Sequence, residues 1–142
     1  MINVFKNILL AWDGSEHSTR AVDKAIEIAK CDSESKVVVV YVADTSKAKS
    51  EVLQNWNNID ITGTKELRFR NIEEKVKKSE IQYEIKMLQG EPGPAIVEYT
   101  NKNQFDVVVI GSRGLNALQE MVLGSVSHKI AKRANCPVLI VK

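Results

Sequence analysis

The sequence has 142 residues, of which 44% are hydrophobic and 27% charged, and its formal net charge is +2. A chain of this length fits one domain with its own core, so we predict a single domain over residues 1–142. The composition excludes a disordered or fibrous protein, and the small charge gives no reason to expect a nucleic-acid or membrane partner. No apolar run approaches the ~20 residues that a membrane helix needs, and the first residues lack a signal-peptide layout. The two cysteines, Cys31 and Cys136, have no metal or redox spacing, which predicts reduced, buried thiols and a cytoplasmic location.

Apolar runs alternate with helical patterns along the chain. Most of the runs are nearly continuous, which is typical of strands buried on both faces of a sheet. One run, residues 81–88, alternates between apolar and polar side chains and predicts a strand at the sheet edge, with Tyr83 and Met87 in the core. The predicted strands are residues 7–12, 37–42, 81–88, 105–110 and 138–141.

The segments between these strands predict the helices. Apolar side chains recur at helical spacing over residues 21–29 and 65–79, a third helix follows the turn at 90–94 and ends near Asn103, and Val126–Arg133 forms the last. Residues 43–64 are polar and predict a loop with a partial helix. The alternation predicts an α/β fold, an open five-stranded parallel sheet with helices on both faces.

Glycine and polar residues follow the first and fourth predicted strands. Asp13-Gly14-Ser15 comes directly after the first strand, and Gly111-Ser112-Arg113-Gly114 comes after the fourth. In open parallel sheets, ligands bind outside the carboxyl ends of the strands where the strand order reverses. A sheet order of 3-2-1-4-5 would therefore turn both segments toward one crevice.

The start of the last helix predicts an anion site. Gly124 and Ser125 stand where unpaired N–H groups and the helix dipole favour a phosphate, and Ser125 and Ser127 add hydroxyl donors. Arg113 is the nearby cation, although its side chain could equally face solvent.

Each of these residues also has a purely structural interpretation. Gly111 and Gly114 allow the backbone to turn and approach a ligand, yet glycines at such boundaries are often only turn or cap residues. Asp13 could belong to the N-cap region of the first helix. His17 and His128 have no second ligand at metal spacing and are expected to be solvated or capping residues. The spacing G-x2-G-x9-G-S matches neither a Walker A loop nor a dinucleotide fingerprint.

The sequence resembles the universal stress protein family over nearly its whole length. The resemblance rests on the opening ILLAWDGSEHSTRAV, the strand VVVVYV, the turn LQGEPGPAIVEY and the closing stretch from residue 105 to 142. The G-x2-G-x9-G-S spacing marks the ATP-binding members of that family. The resemblance implies a Rossmann-like fold and binding of ATP or a related adenine nucleotide with Mg²⁺.

The resemblance also implies roles for individual residues. Asp13 is expected near the ribose or the phosphate-bound metal, and the backbone of Val42 at the adenine edge. The glycines and Ser125 are expected to hold the ribose and phosphates, assisted by Arg113 and the amides that begin the last helix. Trp12 departs from the smaller family residue and either narrows the adenine pocket or fills the core beneath it. The predicted nucleotide-binding residues are Ala11, Trp12, Asp13, Val42, Gly111, Ser112, Arg113, Gly114, Gly124, Ser125, Val126 and Ser127.

Three functions remain open from the sequence. The first is an ATP-binding regulatory protein of the stress response, since no Ser/His/Asp or Cys/His catalytic set is visible. The second is a slow ATP hydrolase or nucleotidyl transferase, and the third is an interaction module whose site stays empty. The last predicted strand would leave an apolar edge open to pairing. The resemblance implies a homodimer that forms through this strand. The pairing residues are Val138, Leu139, Ile140 and Val141.

Overall fold

The fold is taken from a computed structural model, in which residues 5–14, 16–43, 70–112 and 124–142 are described. Within these residues the elements follow one another as strands alternating with helices. The strands are β1 (Asn7–Ala11), β2 (Lys36–Ala43), β3 (Gln82–Gln89), β4 (Val107–Gly111) and β5 (Val138–Val141). The helices are α1 (Glu16–Lys30), α2 (helical over residues 70–78), α3 (Pro92–Lys102) and α4 (Ser125–Arg133).

The strands form one parallel sheet in the order β3-β2-β1-β4-β5, which confirms the predicted α/β fold and strand order. In the middle of the sheet, Ala11 of β1 pairs with Val40 of β2 on one side and with Ile110 of β4 on the other. The predicted strand boundaries agree within one or two residues. The predicted loop over 43–64 and the beginning of the helix predicted over 65–79 lie almost entirely outside the described residues.

The sheet is buried on both faces, as its apolar runs predict. One core lies between the sheet and helices α1 and α2, and the other between the sheet and helices α3 and α4. Alternate residues of β1 supply the two cores, with Ile8 and Leu10 on the first face and Leu9 on the second, and all three are fully buried. Among the described residues, no helix has both the length and the apolar character needed to cross a membrane.

The edge strand β3 differs from the prediction at one position. Tyr83 and Ile85 pack against the α1/α2 core, as the alternation predicts. Met87 was predicted in the core, but its side chain is 62% exposed. Met87 lies at the carboxyl end of an edge strand, beyond Ile85, the last β3 residue on that face that packs against the core. Period-two alternation gives the face of a side chain, but it does not say where the covering layer ends.

A carboxylate joins the beginnings of the two central strands. Asp106, directly before β4, accepts hydrogen bonds through Oδ2 from the backbone N–H groups of Lys6 (2.9 Å) and Asn7 (2.8 Å). Its own N–H donates to the carbonyl oxygen of Asn7 at 2.8 Å. Asp106 therefore closes the amino end of the sheet, opposite the end where the candidate site lies.

Candidate functional site

The carboxyl ends of β1 and β4 form the point where the strand order reverses. The two strands are neighbours, yet the chain leaves β1 through α1 on one face and reaches α4 after β4 on the other. Connections that diverge in this way open a crevice between the strand ends, which is where ligands bind in open parallel sheets. The topology therefore places the first and last parts of the predicted site side by side.

Asp13 and Gly14 occupy the β1 side of the crevice. Asp13 is half-buried and lies between the end of β1 at Ala11 and the beginning of α1 at Glu16. Gly14 has a φ of 88°, in the left-handed region that favours glycine, so the turn after Asp13 depends on that residue. The turn holds the Asp13 backbone at the strand end.

Trp12 fills the core rather than the crevice. Its side chain is 3% exposed and belongs to the core between the sheet and α1. The ring centroid lies 6.0 Å from that of Tyr41, and the outer ring carbons pass beneath Gly14, 3.7 Å from where a Cβ of that residue would stand. Of the two interpretations left open by the sequence, the structure supports the one in which the indole fills the core.

The backbone of Val42 points toward the crevice. In a parallel sheet, both polar groups of a residue face the same neighbouring strand, and the side alternates along the chain. Val40 accepts a hydrogen bond from the N–H of Trp12 at 3.0 Å on the β1 side, whereas Ala43 accepts one from Gly90 at 3.0 Å on the β3 side. Val42 therefore faces the β1 side at a level where β1 has already ended, which is consistent with the predicted position at an adenine edge.

Gly111 is required by packing between α1 and β4. A Cβ atom there would stand 2.7 Å from the carbonyl carbon of His17 and 2.8 Å from its Cβ. Such distances are too short for any other residue unless the backbone of α1 moves. The sequence predicts that Gly111 lets the backbone approach a ligand. The close approach seen among the described residues is instead to the backbone of His17 in α1.

Ser112 joins the end of β4 to the beginning of α4. Its carbonyl oxygen accepts hydrogen bonds from the N–H of Gly124 (2.7 Å) and from the hydroxyl of Ser127 (3.0 Å). Ser127 is 2% exposed, and its hydroxyl also lies 3.1 Å from the carbonyl oxygen of Gly124. The Ser127 hydroxyl, which the sequence predicts as a phosphate donor, is in this arrangement directed at carbonyl oxygens inside the protein.

The first turn of α4 still presents backbone donors. Gly124 is the N-cap residue and has extended backbone angles. Its carbonyl oxygen accepts the first helical hydrogen bond, from the N–H of His128 at 2.9 Å. The amides of Ser125, Val126 and Ser127 precede that bond and have no acceptor within the helix. These N–H groups, at the positive end of the helix dipole, suit an anion.

Two predicted site residues, Arg113 and Gly114, lie outside the described part of the chain. Of the remaining predicted residues, Trp12 lies in the core, and the others lie at the carboxyl ends of β1, β2 and β4 or at the beginning of α4. In the ranges that the structure describes, no group of three or more His, Cys, Asp or Glu side chains could hold a metal ion.

His17 is the site neighbour that the sequence prediction missed. The residue is half-buried rather than solvated, and its Nδ1 lies 2.9 Å from Nη2 of Arg20 and 3.3 Å from Oγ of Ser112. His128, in contrast, is exposed as expected. The sequence contained one signal for His17: it stands one helical turn before Arg20 in the first turns of the helix that follows Asp13-Gly14.

The comparisons with known proteins agree with this architecture. The model described as "Universal stress protein family" matches residues 5–142. Universal stress protein YxiE from Bacillus subtilis (strain 168) is 32% identical, with 98% of this chain and 100% of that protein covered. The solved structure of hypothetical protein MJ0577 is 27% identical with a TM-score of 0.81, covering 98% of this chain and 96% of that one. A universal stress protein crystallised in complex with cAMP is 26% identical with a TM-score of 0.69, and the alignment covers 97% of both chains.

Proposed function

The chain belongs to the universal stress protein family, and on that premise we propose that it binds an adenine nucleotide in the crevice between β1 and β4. The observation that carries this proposal is the first turn of α4, whose amides have no acceptor within the helix and are held at the end of β4 through Gly124 and Ser127. The related protein in complex with cAMP supports an adenine nucleotide as the class of ligand. Within this class we assign ATP, with Mg²⁺ bound to its phosphates.

The described residues suggest an orientation for the nucleotide. The backbone of Val42 is suited to the adenine edge, because its polar groups face the crevice beyond the end of β1. The phosphates lie at the amides of Ser125, Val126 and Ser127. Asp13, between these two regions, is placed for the ribose hydroxyls or for the phosphate-bound Mg²⁺.

We assign a regulatory role in the stress response, in which the bound nucleotide changes the surface offered to a partner. The crevice provides amides, a carboxylate and main-chain groups that bind and orient a nucleotide. Phosphoryl transfer needs in addition a positioned acceptor or water and charge stabilisation at the transferred group. The role is proposed for a cytoplasmic protein, as the sequence predicts.

The test is the identity and affinity of the nucleotide. The purified chain is denatured and the released small molecules are identified by mass spectrometry, and stripped protein is then titrated with ATP, ADP, AMP and cAMP, with and without Mg²⁺. We expect an adenine nucleotide in the first experiment and saturable ATP binding in the second. No adenine nucleotide and no binding would contradict the proposal, and release of ADP or AMP well above background would favour the hydrolase or transferase alternative.

The variant Gly124→Val tests the phosphate end directly. Gly124 has φ −68° and ψ 160°, which any residue adopts, so valine adds bulk without backbone strain. We expect loss of ATP binding in a folded protein. Ser79→Ala, between α2 and the amino end of β3 and therefore at the opposite end of the sheet from the crevice, is the control and should bind as the wild type does. Equal ATP affinity in Gly124→Val would remove the first turn of α4 from the site.

We further propose that two chains pair along β5 to form a homodimer. Within the described residues, β5 is the edge strand beside β4, and Leu139 is a large apolar side chain that is 39% exposed there. An open apolar edge favours pairing with another strand. Sedimentation at micromolar concentration should give a dimer, and Leu139→Lys should shift it toward monomer. A monomeric wild type would contradict this pairing.

A further inference from the structure

Ser112 uses each of its polar groups inside the protein. Its N–H donates to the carbonyl oxygen of Val141 at 2.8 Å, and its own carbonyl accepts from Gly124 and Ser127. Its hydroxyl lies 3.3 Å from Nδ1 of His17, and the residue is only 5% exposed. Ser112 therefore connects three elements, β5, α4 and α1, and it offers little of its own surface to a ligand.

The partner of the Ser112 hydroxyl has a defined hydrogen-bonding role. Nη2 of Arg20 lies 2.9 Å from Nδ1 of His17, and a guanidinium group can only donate. Nδ1 is therefore an acceptor, which places the proton of the neutral ring on Nε2. Nδ1 carries one lone pair, which Arg20 occupies at the shorter distance, so the Ser112 hydroxyl at 3.3 Å can donate to it only as the weaker of two partners. Arg20 is itself held by the hydrogen bond from its Nε to the carbonyl oxygen of Lys142 at 2.9 Å.

The connections fix where the first turn of α4 stands relative to α1. Gly124 and Ser127 each bond to the same carbonyl oxygen, so the turn cannot shift along the end of β4 without breaking two hydrogen bonds. The Ser112 hydroxyl and His17 attach this point to the helix that follows Asp13. The two sides of the crevice are thus connected through one serine.

We propose that Ser112 is a positioning residue that holds the amides of the α4 first turn in place for phosphate and does not itself contact the ligand. This inference rests on the proposed binding of an adenine nucleotide. It revises the sequence prediction, which placed Ser112 among the residues in contact with the nucleotide.

The proposal is tested by comparing a ligand with phosphates to one without them. In Ser127→Ala, the loss of one of the two hydrogen bonds to the Ser112 carbonyl should displace the first turn, weaken ATP binding about fivefold to tenfold, the size of one net hydrogen bond, and leave adenosine binding unchanged. Ser112→Ala keeps that carbonyl and loses only the contact with His17, so its effect on ATP binding should have the same sign and be smaller. Ser79→Ala removes a hydroxyl that bonds within the α2 region, to the carbonyl oxygen of Lys75, and is the matched control. Unchanged ATP affinity, or an equal loss for ATP and adenosine, would overturn the positioning role.

His17 variants keep the proposal testable if Ser112→Ala does not fold. His17→Asn places an oxygen acceptor close to the position of Nδ1 and should retain ATP affinity, whereas His17→Leu removes the acceptor and should behave as Ser112→Ala does. Equal affinities in the two His17 variants would overturn the inferred connection to α1.

Amide hydrogen exchange in the ligand-free protein separates this inference from the proposed function. The Gly124 amide, which donates to Ser112, should exchange about tenfold faster in Ser127→Ala than in the wild type, and no faster in Ser79→Ala. A wild type that binds no nucleotide would contradict the proposed function and the phosphate part of this inference. Unchanged exchange at Gly124 would contradict the positioning of the turn, whatever the protein binds.

Discussion

Gly111 lies directly against the backbone of His17, so that a Cβ on the glycine would stand 2.9 Å from the carbonyl oxygen of the histidine. This contact sets the distance between α1 and the end of β4, the two elements on either side of the crevice. Gly111, the first glycine of the G-x2-G-x9-G-S spacing, is therefore required by the packing of α1 against β4, independently of any ligand.

Gly111→Ala is expected to lower the free energy of unfolding by about 1–3 kcal/mol, because the added methyl overpacks against helix backbone. Gly93→Ala is the control, since its Cβ would meet mainly the flexible chain of Lys129, 2.9 Å from Cδ. Alanine also suits a helix better than glycine by about 0.5–1 kcal/mol, so this variant should be neutral or stabilising. Urea unfolding measures both, and similar losses in the two variants would argue against the contact with His17.

Trp12 provides a test of which side chains belong to the site. Because the indole is buried beside Tyr41, Trp12→Leu should lower the free energy of unfolding by about 2–4 kcal/mol while leaving ATP affinity unchanged. Thermal unfolding and calorimetric titration of the same preparation give the two quantities. A change in affinity without a change in stability would mean that the indole contacts the nucleotide after all.

Asp106 should matter for stability and not for binding. Asp106→Ala removes an acceptor shared by two backbone N–H groups and should lower the free energy of unfolding by about 2 kcal/mol. Asp106→Asn keeps one side-chain oxygen as acceptor and should lose about half as much. Chemical unfolding of the two variants checks the order. Equal losses would indicate that the hydrogen bonds to Lys6 and Asn7 contribute little.

The two cysteines should differ in reactivity. Burial raises the pKa of the Cys136 thiol, so a smaller fraction is thiolate at any given pH. Cys31 is exposed, so the prediction of a buried thiol is wrong for this residue, which lies in the turn after α1. Iodoacetamide at pH 8 should therefore modify Cys31 first, with Cys31→Ser and Cys136→Ser identifying each thiol. The difference should disappear in denaturant. Faster modification of Cys136 in the folded protein would contradict its burial.

The fold was predictable because its signals are local. Runs such as residues 37–42 are apolar on both faces only when helices cover both sides of a strand, and the switch-point rule then favoured the order 3-2-1-4-5. The point where the strand order reverses, between β1 and β4, was predictable as a location, but the contacts around it were not. The hydrogen bond between His17 and Ser112 joins residues that are 95 positions apart, and periodicity contains no information about such a pair. Met87 was mispredicted for a related reason, since the extent of a covering layer is a tertiary property.

The hydrogen bonds from the N–H groups of Lys6 and Asn7 to the Asp106 carboxylate also have a consequence for folding. Lys6 and Asp106 are 100 positions apart, and they flank the pairing of β1 with β4 at the centre of the sheet. Joining such distant segments requires closing a long loop, which makes contacts of this kind slow to form. The pairing of β1 with β2 through α1 is more local and can precede it. We therefore expect the crevice to be completed late in folding, and a nucleotide held across β1 and β4 to slow unfolding by binding only the finished sheet.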